Sequence, residues 1–329
     1  MFLPRKKRIC TTNRYFPIFR KKFMKKYFKS VLMRLINTLN YEISKNLKDE
    51  REILAIGSLL SKQSGQINST NINDHEFRIF SQWGDDGIIQ YLTKNLRIDN
   101  KIFIEFGVEN YLESNTRFLM MNDNWEGFIM DGSAEAMEFV KKQNWYWRHS
   151  LHAKAVFITK ENINTLLRDT GYRNIGLLHI DIDGNDYHVL ESIELERLNP
   201  SIIVTEYNGV FGNKRPISTP YDKDFNRTEK HFSNLYFGAS LPAFHYLLSK
   251  KNYALVGCNI AGNNAHFVRR DLLNEKVKEV QIDQAFKMSK FRESRNPDFS
   301  FSFLEGDDRL KQISGLEVVN VVSGEVEFL

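Results

Sequence analysis

Asp181 and Asp183, in the run His179-Ile-Asp-Ile-Asp-Gly-Asn-Asp-Tyr-His188, have the type and spacing of residues that do chemistry. Alternating along an extended backbone, they point to one side, where two like charges are costly unless something cationic lies between them. A divalent cation, Mg²⁺ or another, suits hard oxygen ligands such as Asp181 and Asp183. The competing chemistry is a general base whose pKa is raised by a neighbouring carboxylate. The plainest alternative is that Asp183 or Asn185 only caps the helix that follows. His188 shares that helix start, which sets it ahead of His179, His231 and His245 as a candidate base. Glu206 closes the apolar run Ser201–Glu206, and a buried acid there needs a partner. It reaches the same sheet edge as Asp181 if the two strands pair. A satisfied structural hydrogen bond is the other reading of Glu206.

A second group of acids lies upstream, in residues 102–133. Ile102–Phe106 has the apolar run of a strand covered on both faces, broken only by Glu105. A carboxylate near a strand end, followed by Gly107, can reach a ligand in the crevice above a parallel sheet. Ser114 and Thr116 offer caps for a helix whose buried face is Phe118, Leu119, Met120 and Met121. The next strand, Gly127–Met130, ends at Asp131, where a carboxylate can accept two ribose hydroxyls. Acids at successive strand ends suit a ligand with cationic and hydroxyl groups. A diphosphate would ask for a glycine-rich loop without them.

The elements that must position these residues alternate strand and helix, the pattern of a parallel α/β sheet. Strands are expected at Lys101–Phe106, Gly127–Asp131, Ala153–Ile158, Ile175–Ile182, Ser201–Glu206 and Tyr253–Cys258, with a last one near Ala265–Val268. A helix is expected over Ser240–Lys251, and late strands at Val318–Val322 and Glu325–Leu329. The chain divides into a basic arm and amphipathic helix or linker over 1–75, a catalytic-type domain over 76–272, and an extension over 273–329. The loops at 211–216 and 231–240 read as substrate-side.

The 329 residues suffice for a large core, and 42% hydrophobic with 26% charged content is ordinary for a soluble protein. No apolar run of about 18 residues appears, and the N-terminus lacks the pattern of a secretory signal. Cys10 and Cys258 give neither a disulfide framework nor a zinc site, which suits a reducing cytosol. The net charge of +5 is uneven: residues 1–35 hold 12 Lys and Arg and no acid, leaving −7 for the remainder. Phe16, Phe19, Phe23, Tyr27 and Phe28 interleave with these cations. Such an arm suits peripheral contact with an anionic membrane, at its cytoplasmic face, as well as a solvated tail. The acidic remainder argues against a broad nucleic-acid footprint.

Taken in order, Ser81-Gln-Trp-Gly-Asp-Asp-Gly, Glu105-Phe-Gly, Glu113-Ser-Asn-Thr, Asp131-Gly-Ser, Asp181-Ile-Asp-Gly-Asn-Asp, Glu206-Tyr-Asn, Phe237-Gly-Ala-Ser and Gly262-Asn-Asn-Ala-His-Phe-Val-Arg form a set. That set resembles the FkbM-like group of class I S-adenosylmethionine-dependent methyltransferases over roughly residues 78–270. The resemblance implies a Rossmann-like, seven-stranded, mostly parallel sheet with helices on both faces and an antiparallel last strand. It implies S-adenosyl-L-methionine as cofactor, with Glu105 and Gly107 near its methionine part and Asn115, Gly132 and Ser133 among the cofactor-binding residues. Asp131 would hold the ribose hydroxyls, Glu161 and Asn162 would lie near the adenine, and Asp181 and Asp183 beside the transferred methyl. One departure stands out. The class usually places more glycine in the first loop, whereas here Gly107 is followed by Val108, Glu109, Asn110 and Tyr111.

Methyl transfer needs an acceptor oxygen held about 3 Å from the methyl carbon and a means of removing its proton. Asp181, Asp183, Glu206 and His188 are the residues that could supply it, and the expected reaction is O-methylation of a saccharide or surface-glycan precursor. The rival enzyme is a metal-dependent glycosyltransferase using Asp181-x-Asp183, and the non-enzymatic rival is an adaptor on a degenerate methyltransferase fold.

Overall fold

The computed structural model describes residues 48–329. The basic arm of residues 1–35, and with it the expected membrane contact, lies outside the described residues. Residues 54–329 form one body, which begins inside helix α1 (Lys48–Ser64). Among the described residues no helix is long and apolar enough to cross a membrane.

Seven strands make the main sheet. They are β1 (Ile102–Phe106), β2 (Glu126–Asp131), β3 (Leu151–Ala155), β4 (Leu177–Ile180), β5 (Ile202–Glu206), β7 (Tyr253–Cys258) and β8 (Asn264–Arg269), in the order β3-β2-β1-β4-β5-β8-β7. The short β6 (Ile217–Ser218) instead joins β9 (Glu317–Asn320) and β10 (Val326–Phe328) in a small second sheet. The neighbours of β1, β2 and β4 are parallel, while β8 runs antiparallel to both β5 and β7. The expected antiparallel last strand is therefore present, inserted between β5 and β7.

The helices cover both faces. Isoleucines and leucines of α2 (Asp85–Asn95) and α3 (Arg117–Asp123), with Met137 and Val140 of α4 (Ala134–Lys141), bury one face of the sheet. The other face is closed by α5 (Ile163–Asp169), α6 (Asp186–Ser192), α7 (Leu195–Leu198) and, beyond the short α8 (Arg227–Lys230), by α9 (Leu241–Lys250). Local chemistry explains where several begin. Ser133 and Ser240 accept hydrogen bonds from the backbone N–H groups of Ala136 and Ala243, and Pro242 sits in the first turn of α9, where its missing donor costs nothing. Because β1, β4 and β5 are covered on both sides, their sequences read as largely apolar runs, interrupted by Glu105, His179, Thr205 and Glu206 toward their carboxyl ends.

Strand three is shorter at its far end than its composition suggests. It pairs with β2 from Leu151–Gly127 to Ala155–Asp131, and where β2 ends the chain leaves the sheet. Val156, Phe157 and Ile158 consequently form a loop. Residues on both sides of 75 and of 272 pack into the same body: Ile72 and Val277 share a buried cluster with Leu92 and Val256.

Candidate active site

A cavity of about 520 Å³ opens along the carboxyl ends of β1, β2, β4 and β5, where a parallel sheet of this order changes direction. Gly107 lies at its floor. Its φ is +71°, and a Cβ there would sit 1.5 Å from the carbonyl oxygen of Asp181, so strands β1 and β4 can meet only at a glycine. The loop beyond needs two more left-handed residues, and Glu109 (φ 45°) and Tyr111 (φ 60°) take them without glycine. The glycine-poor first loop thus keeps the tight bend. What holds it is the carboxylate of Glu105, which accepts from Ser114 Oγ (2.6 Å), Thr116 Oγ1, the backbone N–H of Asn115 (3.0 Å) and His179 Nδ1 (2.9 Å). Burial would raise the pKa of Glu105, but the bonds from His179, Ser114 and Thr116 outweigh it and hold the group below its usual range. For His179, burial alone would lower the pKa; the Glu105 carboxylate reverses that and raises it.

Asp131 is held in a similar way. One oxygen accepts from the N–H of Glu109 (2.8 Å) and the other from that of Ser133 (2.7 Å), while the carboxylate borders the cavity. Two further acids act mainly on the backbone. Asp86 accepts three successive N–H groups from Ile79, Phe80 and Ser81, at 2.7–2.8 Å, and so shapes the loop that delivers Gln82 and Trp83 to the cavity wall. Asp186 accepts from Ile182 (2.7 Å) and Gly184 (2.9 Å), fixing the turn in which Asp183 adopts φ +56°.

At the other end three carboxylates crowd together. Oxygens of Asp181, Asp183 and Glu206 all lie within 4.8 Å of one another. The expected proximity of Asp181 and Glu206 follows from the pairing of β4 with β5. Oε2 of Glu206 is buried without a hydrogen-bond partner. Burial first, then the charge of Asp183, pushes the pKa of Glu206 up to about 8. Burial and the charges of Glu206 and Asp183 raise that of Asp181 well above the carboxylate range. Arg227, from α8, reaches in from the loop after β6 and donates to Asp183 at 2.8 Å.

The remaining expected site residues divide. Gly132 and Asn115 line the cavity, with Asn115 Nδ2 3.0 Å from His179 Nε2. Ser133 is occupied in capping α4. Glu161 accepts from the hydroxyl of Tyr221 (2.6 Å), and Asn162 bonds the backbone at Thr159 and Phe157; neither borders the cavity. The wall there is Val156, Phe157 and Ile158. His188 is not brought to the acids either. Its Nε2 lies 2.9 Å from the carbonyl of Thr219, its ring packs between Tyr187 and Tyr221, and burial lowers its pKa. Trp83, Phe225, Arg227, Phe291 and Glu293 also line the cavity, and nothing in the local sequence pattern gives them a role. Trp83 had only the Ser81-Gln-Trp-Gly motif to flag it; Phe291 and Glu293 come from the tail.

This sheet order, with a glycine floor at β1 and acids at the ends of β1, β2 and β4, defines a class I S-adenosylmethionine-dependent methyltransferase. A sequence model of the methyltransferase FkbM domain matches residues 89–254, half of the chain, and the protein belongs to that family. Membership decides the enzyme class in favour of methyl transfer over the glycosyltransferase alternative. No curated protein matches the sequence. Several solved structures are similar at a distance. An O-methyltransferase from Bacillus cereus in complex with S-adenosylhomocysteine is 12% identical, over 66% of this chain and 90% of that one, with a TM-score of 0.39. The N-terminal domain of EvdMO1, solved in the presence of S-adenosylhomocysteine and D-fucose, is 11% identical over 67% and 95%, at 0.38. TrmK of M. capricolum, with S-adenosylhomocysteine, is 10% identical over 57% and 70%, at 0.35.

Proposed function

We propose that this methyltransferase O-methylates a saccharide or related glycan precursor, with Glu206 and Asp181 as the pair that accepts the hydroxyl proton. The observation that carries the reading is the unpartnered, buried Oε2 of Glu206 facing Asp181, with a pKa raised to about 8. A carboxyl poised near neutral pH is matched to taking a proton from an alcohol as the oxygen attacks.

The cavity suits the cofactor. Eight carboxylates line it against one arginine, a balance that favours a cationic ligand over a diphosphate. When bound, S-adenosylmethionine supplies an electrophilic methyl group on a sulfonium. Asp131 would hold the ribose hydroxyls, Phe157 and Ile158 would flank the adenine, and Gly107 and Asn115 would lie at the methionine part. Glu105 acts one step away, by fixing the loop. At the acceptor end, Trp83 stacks on Phe291 (centroids 6.0 Å apart), and Phe225, Asn263, Asn264 and Glu293 complete the wall. Aromatic faces beside carboxylates and amides suit a polyhydroxylated ring. Asp181, Asp183 and Glu206 are the donor set a hard cation would ask for, but Arg227 already donates to Asp183 at 2.8 Å, so the proton route is derived without a metal ion.

The test is calorimetric titration with S-adenosylmethionine and S-adenosylhomocysteine, followed by a mass-spectrometric screen of glycans for a methyl increment. Micromolar cofactor binding and methylation of a sugar hydroxyl are expected. Methyl transfer confined to amines or carbon would overturn the O-methylation reading.

A further inference from the structure

Three carboxylates within 4.8 Å of one another need positive charge nearby, and the chain provides it from an unexpected place. Arg227 is anchored on three sides. Its Nη1 donates to Asp183 Oδ1 at 2.8 Å, its Nε donates to the carbonyl of Asn234 at 2.8 Å, and its guanidinium lies 3.7 Å from the centre of the Phe237 ring. The side chain is 18% exposed, against 64% for Asp183. A planar fork seated on an aromatic face and a fixed carbonyl is pre-organised rather than swinging in solvent.

We propose that Arg227 is the resident cation of the Asp181–Asp183–Glu206 cluster, standing where a divalent metal ion would otherwise sit. A metal ion reaching these oxygens would compete with Nη1 at Asp183 Oδ1 and approach a fixed positive charge. With Arg227 in place the cluster keeps its carboxylates close without chelating metal, and Glu206 Oε2 stays open to a proton. Arg227 is thus a positioning residue: it acts through Asp183 and Glu206. The proposal rests on the methyl-transfer reading for its chemical purpose, while its test does not depend on turnover.

The test is Mn²⁺ titration of the full chain, followed by electron paramagnetic resonance, for wild type, Arg227→Met and Arg227→Met with Glu206→Gln. Wild type is expected to show no stoichiometric binding below about 1 mM Mn²⁺, the weak end of carboxylate sites. Arg227→Met is expected to bind about tenfold more tightly or better, because the acids then lack their counter-charge. Adding Glu206→Gln should remove the gain. A purely structural arginine would not create a metal site when lost. Micromolar Mn²⁺ binding by wild type, abolished in Asp181→Asn, would overturn the proposal in favour of a metal centre. So would an Arg227→Met protein that still binds S-adenosylmethionine yet gains no affinity for Mn²⁺. Should Arg227→Met not fold, Arg227→Gln serves in its place. Cofactor calorimetry on the same samples keeps the two readings apart: loss of cofactor binding in wild type sinks methyl transfer and leaves the metal result standing.

Discussion

The two ends of the cavity use the same side chain in opposite ways. At the cofactor end, Glu105 and Asp131 accept hydrogen bonds from backbone N–H groups, hydroxyls and His179 that fix the first loop. At the acceptor end, Asp181 and Glu206 are crowded by like charge, and Glu206 keeps an oxygen without a partner. At Glu105 the hydrogen bonds outweigh burial and the pKa falls; at Glu206 burial and like charge win and the pKa rises. The direction of the shift separates Glu105 from Glu206, although both are acids at the carboxyl ends of strands that flank β4 in one sheet.

The contrast breaks most visibly at its pins. Gly107→Ala drives a methyl group into the Asp181 carbonyl, and Glu105→Ala strands buried Ser114, Thr116 and His179. Each is expected to cost about 3–5 kcal/mol, seen as loss of the cooperative melting transition or a steep fall in its midpoint. Next in size, Asp131→Ala should weaken S-adenosylhomocysteine by about 100-fold, two charge-assisted hydrogen bonds being worth roughly 3 kcal/mol, with calorimetry as the readout. Retention of wild-type affinity would move the ribose site elsewhere.

The reactive end predicts gains as well as losses. A folded-state pKa raised to about 8 means that the folded protein holds a proton the unfolded chain releases near the ordinary glutamate value. Stability from this group is therefore present at low pH and lost as pH rises through that window. Glu206→Gln should flatten the fall and melt higher than wild type at pH 8, by roughly 2–4 °C per kcal/mol recovered. Methyl transfer by wild type should rise with pH toward a plateau above about 8, and the variant should lose that limb together with most of its rate, about 100-fold or more. The smallest effect sharpens the map: Glu161→Ala should change cofactor affinity by less than about twofold, since its carboxylate bonds Tyr221 on the exposed surface and does not border the cavity.

How much of this was legible before the structure depends on where each residue's partners lie in the chain. Tyr253–Cys258 was read to the residue, because an apolar run bounded by Asn252 and Asn259 leaves one solution. The meeting of Asp181 with Glu206 followed from strand pairing alone. The adenine-side wall did not, because Val156–Ile158 is as apolar as the strand before it and only the end of β2 shows where pairing stops. Arg227, Phe291 and Glu293 were invisible for a different reason. They arrive from a loop after β6 and from the tail, and long-range packing rather than local pattern puts them beside the acids. His188 shows the converse: sequence adjacency to Asp186 set it at the helix start, and helical geometry turned its ring toward Thr219.

The first loop carries one more consequence. Beyond Gly107 its left-handed residues are a glutamate and a tyrosine, and Tyr111 is wholly buried, so the bend is set by the core during folding. The conformational entropy that a glycine-rich loop would surrender on meeting its ligand has already been given up here. Cofactor affinity is therefore expected to owe little to loop ordering, and most of the binding free energy should come from contacts with a surface whose shape exists before the ligand arrives.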